Sequence, residues 1–145
     1  MYSLSNERGL YIRMTSPHER WQTLSDFLEK THRKLLSHLH RGVRWNFACP
    51  LQPNVSRNMP DVTDTVQAFM NRFNPERTRV VFISPDVNEN LLQEGQMAAA
   101  DQLRRSFPNG VEVCWIDTRR SPRQREELRQ MRANGRFLSD FFGVR

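Results

Sequence analysis

Two carboxylates stand where a small enzyme would want them. Asp86 follows the apolar run "RVVFIS" by one proline, and Asp117 closes the run "VEVCWID". Two acids brought to one edge of a sheet can share acid–base work or hold Mg²⁺. Ser84 precedes the first of them, and Arg119 and Arg120 follow the second. These five residues, Ser84, Asp86, Asp117, Arg119 and Arg120, are the set expected around a pocket for an anionic or nucleotide-like ligand. Asp61 and Asp64 open a nearby helix, but like Asp86 they are explained by the preference of helix N-termini for negative charge. Asp117 has less of that excuse, because "IDTRRS" places it in a loop.

The other reactive side chains are sparse. Cys49 ends a strand-like run before Pro50, yet the sequence names no base beside it, so a buried structural thiol is the expectation. The four histidines, His18, His32, His38 and His40, contain no His-x-x-x-His pair, and Cys49 has no ligand partner at zinc spacing. No metal site and no cofactor are expected. Neither a G-x-G-x-x-G fingerprint, a phosphate-cradling P-loop nor a G-x-S-x-G elbow occurs.

The most visible cluster is basic. Arg119, Arg120, Arg123, Arg125, Arg129, Arg132 and Arg136 crowd one stretch against Glu126 and Glu127. On a helix, Arg125, Arg129 and Arg132 form a ridge at steps of four and three, which could follow a phosphate backbone. The stretch lacks the interleaved aromatics of a single-strand platform and the partner helix of a helix-turn-helix. A solvated helix face is the competing explanation.

The elements that position these groups are punctuated by Ser-Pro, which occurs at 16–17, 84–85 and 121–122, each time past a strand-like run. Serine at an N-cap accepts from free backbone N–H groups, and proline at the next position loses no hydrogen bond. Ser16 with Glu19 has capping-box spacing. A helix is predicted from there towards Gly42, with Trp21, Leu24, Phe27, Leu28, Leu35, Leu36 and Leu39 on its stripe. "VRWNFAC" alternates, with Val43, Trp45, Phe47 and Cys49 on one face, as expected of a strand near a sheet edge. Helix two is predicted over 61–73, ending at Asn74-Pro75, with Val62, Val66, Phe69, Met70 and Phe73 inward. "RVVFIS" reads as a central strand paired on both sides, with Val80–Ile83 buried on both faces. Helix three is predicted from Asp86 to Ser106, and helix four from Ser121 to the "ANG" at 133–135, followed by a short tail that packs back.

Strands starting at 10–14 and alternating with helices four times imply right-handed crossovers and a parallel sheet. The expected fold class is α/β: a single small three-layer domain over 1–145, with a four-stranded, mostly parallel sheet in βαβαβαβα order. An α+β fold with "VRWNFAC" antiparallel at an edge is the alternative. All three Ser-Pro sites then lie on the carboxyl edge, where ligands bind in open α/β sheets.

Composition bounds the function. A chain of 145 residues with 37% hydrophobic and 26% charged residues suits one folded domain. Apolar runs are far too short to span a bilayer, and Glu7 and Arg8 interrupt any export signal. Two cysteines without a Cys-x-x-Cys pair suit a reducing, cytoplasmic compartment. The net charge is +6, carried by 20 arginines and only 2 lysines. Arginine pairs bidentately with phosphate and carboxylate and stacks on flat rings, so the expected partner is an acidic macromolecule, nucleic acid or protein. The leading reading is a non-catalytic binding module. A small enzyme at the carboxyl edge is second, and an assembly subunit, including self-association, is third.

Overall fold

A computed structural model describes residues 2–5, 8–37, 44–84, 102, 104–117 and 124–142. The chain divides into two compact units, Met1–Asn74 and Pro75–Arg145.

In the first unit, β1 (Tyr2–Ser5) and β2 (Arg8–Ile12) pair antiparallel, and β2 pairs in parallel with β3 (Arg44–Ala48). Among the described residues the order β1-β2-β3 puts β3 at an edge, as expected, and its exposure alternates over most of its length. The strand expected at 10–14 begins two residues earlier, and β1 was not anticipated. Its four residues contain no apolar run, so the strand exists through pairing rather than through its own propensity.

Helix α1 (Leu24–Leu36) links β2 to β3. Its N-cap is Thr23, not Ser16 as the Ser-Pro pattern predicted. Thr23 Oγ1 accepts from Asp26 N–H at 3.1 Å, and the Asp26 carboxylate accepts from Thr23 N–H at 3.4 Å, a complete capping box. Ser16 instead starts a single turn. Its N–H donates to Glu19 at 3.2 Å, as the capping-box spacing implied, but its hydroxyl accepts from His18 N–H, two residues on. The turn closes with Gln22 N–H donating to the Pro17 carbonyl and Trp21 N–H to the His18 carbonyl. Trp21 therefore leaves the helix stripe altogether.

Helix α2 (Val62–Phe73) has the predicted bounds, with Asp61 as N-cap and Asn74 left-handed at φ 43° before Pro75. The helices and the sheet enclose one aromatic cluster. Phe47 and Phe69 stack with centroids 5.2 Å apart, Phe27 lies 6.3 and 6.4 Å from them, and Tyr11 and Phe73 extend the group. Phe27, Met59, Val62 and Val66 are buried.

In the second unit, β4 (Thr78–Ser84) and β5 (Val111–Asp117) pair in parallel over their full length. Cross-strand partners interact directly: Phe82 stacks on Trp115 at 4.2 Å, and Arg79 pairs with Glu112 at 2.9 Å. Phe107 packs on Phe82 and is buried, as is Ile116. The expectation of a central β4 needs correction. Among the described residues β4 pairs with β5 alone, and Ile83 is 62% exposed. An apolar run reports what a strand could bury, not how many neighbours flank it. The four expected parallel strands are present, but in two separate ladders rather than one described sheet.

Most of the third predicted helix lies outside the described residues; 102 and 104–106 are helical. The last helix, α3 (Gln124–Phe142), runs straight through Ala133-Asn134-Gly135, where the sequence predicted a stop. One helical glycine costs only about 1 kcal/mol against alanine, too little to break a helix flanked by good formers.

Candidate anion-binding surfaces

Of the predicted pocket, the structure aligns two members. Ser84 and Asp117 are Cα partners at the carboxyl ends of β4 and β5. Asp86, Arg119 and Arg120 lie outside the described residues, as do the Ser-Pro steps at 85 and 122. Among the described residues no group of three or more His, Cys, Asp or Glu side chains converges to hold a metal.

The predicted arginine ridge lies on α3. Arg129 and Arg132 are exposed, and so is Arg136, one turn further on. Arg125 precedes Arg129 by one turn in register. Steps of four, three and four keep the positions within an arc of about 60°, and the row extends about 16 Å along the axis. Met131, beside Arg132 in sequence, is 63% exposed. Asp140 is exposed four residues after Arg136 and is the row's acidic end.

A second basic group was not foreseen, at the carboxyl end of the β2–β3 pair. Arg13 N–H donates to the Ala48 carbonyl at 2.9 Å, extending the ladder by one bond. Its guanidinium donates to the Thr15 carbonyl and to the Gln22 side chain, and lies 5.4 Å from the Phe27 centroid. Arg13 is thus committed to holding the Ser16–Gln22 turn onto the sheet. Beneath that turn His18 is only 1% exposed, with Nδ1 3.0 Å from Ser16 Oγ and Nε2 buried without a hydrogen-bond partner. Burial lowers the His18 pKa, and the Pro60 carbonyl works in the opposite sense without reaching hydrogen-bond geometry.

Cys49 sits at the same edge, one residue past β3. Burial pushes its thiol up to about 12, with the Arg13 charge only partly opposing. Cys49 and Cys114 are both free, and burial raises Cys114 as well. On the second unit Glu112 is neutralised from two sides. The hydrogen bond from Arg77 Nε at 2.5 Å does most to hold its carboxyl below the usual range, and Arg79 adds to it.

On the outer side of the same Ser16–Gln22 turn, Trp21 is 64% exposed, and the Arg57 guanidinium lies 3.7 Å from its ring centroid. The two are 36 positions apart, and no local pattern in the sequence connects them. No described helix is long and apolar enough to cross a membrane. No family model, curated protein or solved structure matches the chain.

Proposed function

We propose that the chain is a non-catalytic binding module that meets an acidic macromolecule through arginine, acting in a reducing compartment such as the cytoplasm. The observation that carries this reading is the row on α3: Arg129, Arg132 and Arg136 are exposed on one arc, with Arg125 in register ahead of them. Arginines at this pitch are suited to successive phosphates or carboxylates, and their fork geometry favours both. The free cysteines are compatible with a reducing compartment. A second reading, an enzyme for an anionic substrate, is favoured only by the alignment of Ser84 with Asp117.

Salt dependence tests the row. Each phosphate contact contributes a log–log slope of roughly −0.9 on duplex DNA and about −0.7 on a single strand. Changing Arg125, Arg129 and Arg132 to Gln is expected to flatten the slope by about two to three units with the fold intact. The control changes Lys30, Arg33 and Lys34, all exposed on α1, to Gln. Equal losses from the two triple variants remove the row as a site and leave only general charge. Absence of binding to nucleic acid near physiological salt leaves an acidic protein as the partner.

A further inference from the structure

Trp21 and Arg57 both occupy backbone positions that ordinarily belong to glycine. Trp21, at φ 53°, follows the single turn 17–20 and takes the left-handed position of a Schellman closure. Arg57, at φ 56°, is the first central residue of a tight turn closed by paired hydrogen bonds between Ser56 and Met59, at 3.2 and 3.1 Å. A bulky residue in this region is a genuine outlier. Neither residue repays the strain by filling the core, since Trp21 is 64% exposed and Arg57 is exposed.

What the two residues make is a fixed surface. Arg57 Nη1 donates to the His18 carbonyl at 3.2 Å, and Asn58 Nδ2 donates to the Trp21 carbonyl at 3.4 Å, so each turn is tied to the other. Both turns are anchored from below, by buried Pro17 and His18 on one side and buried Met59 on the other. The guanidinium covers one face of the indole. Arg20, exposed on the same turn, adds a second positive charge, and the acid of that turn, Glu19, accepts from Ser16 N–H.

We propose that Trp21 and Arg57 form a stacking platform for a base of single-stranded nucleic acid, with Arg20 beside it to meet the phosphate. The argument is chemical. An indole with a cation on one face presents the other to a flat π system, and every base has such a face. Arg20 and Arg57 outnumber the single acid of that turn, Glu19, and so favour a phosphate. Because the ring is held by two tied turns, little freedom remains to be lost on binding. This platform is independent of the arginine row on α3, which belongs to the other unit.

The test uses the full chain and a labelled oligothymidylate near physiological salt, with inorganic polyphosphate as a probe that has the charge without the bases. Trp21→Asn removes the ring while suiting the left-handed backbone better, so it is expected to keep or raise the melting temperature. It is expected to weaken oligothymidylate binding roughly five- to hundred-fold, as loss of one stacked base implies. Polyphosphate binding is expected to stay unchanged. Trp21→Phe, which keeps a flat ring, is expected to retain most of the affinity. Wild-type affinity in Trp21→Asn overturns the platform, as does an equal loss for polyphosphate, which would report charge or fold. Failure of the unaltered chain to bind oligothymidylate also overturns it and makes a protein the occupant. The α3 triple variant separates the two surfaces, because it tests the row with the platform intact.

Discussion

Gly9 and Trp45 are direct partners across the parallel β2–β3 ladder, and the indole occupies the space that a Gly9 side chain would need. Among the described residues the buried Trp45 Nε1–H has no hydrogen-bond partner, so the ring's place beside Gly9 is a matter of packing. The absence of a Cβ at Gly9 is therefore a packing requirement of this ladder, and it has nothing to do with turn geometry.

Gly9→Ala is expected to destabilise the fold by about 1–3 kcal/mol, the usual penalty for an overpacked site. Gly135→Ala is the contrast. No atom lies near the position of its added Cβ, and the residue is exposed in the interior of α3. It is expected to stabilise by about 0.5–1 kcal/mol. Denaturant midpoints measured at constant slope check both. A neutral Gly9→Ala would mean that Trp45 moves aside freely.

His18 makes stability depend on pH. Its folded pKa lies below the ordinary 6.5, so below pH 6.5 the unfolded chain binds a proton that the folded chain resists. The contribution is present in full above 6.5 and is lost as pH falls through the folded pKa. Denaturant midpoints should therefore drop on acidification from pH 7 to 5, and His18→Gln should flatten that drop relative to the unaltered chain. Equal pH dependence in both proteins would show that His18 titrates normally.

Cys49 should resist alkylation. A thiol near 12 rather than its ordinary 9.0 carries about a thousandfold less thiolate at neutral pH, and the thiolate is the nucleophile. Iodoacetamide at pH 7.5 is expected to label native Cys49 far more slowly than the same residue in denaturant, as read by mass spectrometry of the peptide. Rapid labelling of the native chain would contradict the buried setting.

Part of this architecture was legible because its causes are local. Helix α2 begins at Asp61 and ends at Asn74-Pro75, and both signals act within four residues of the boundary they set. The alternation of Trp45 and Phe47 against Arg44 and Asn46 likewise reports a strand with one drier face, whatever lies beside it. The apolar runs at 79–84 and 111–117 had to be strands of similar length. The arginine row was readable too, since spacing along a helix fixes which positions share an arc.

The rest depended on contacts between distant segments. Ser16 and Thr23 are both competent caps. Arg13, reaching from the end of β2 to Thr15 and Gln22, holds the intervening turn on the sheet, and α1 starts only at Thr23. Strand β1 has too little apolar content to announce itself and is made by its ladder to β2. The number of strands beside β4 is a matter of pairing, which an apolar run cannot encode. Trp21 looked like a core position because periodicity assigns faces on the assumption that the helix is continuous. Its left-handed backbone breaks that assumption and turns the ring out to meet Arg57. The amino-acid sequence alone determined the local segments, their caps and the basic character of the chain. Tertiary structure alone decided which strands pair, where α1 begins and which arginine stacks on which ring, because each of those rests on energies between residues that the chain brings together only on folding.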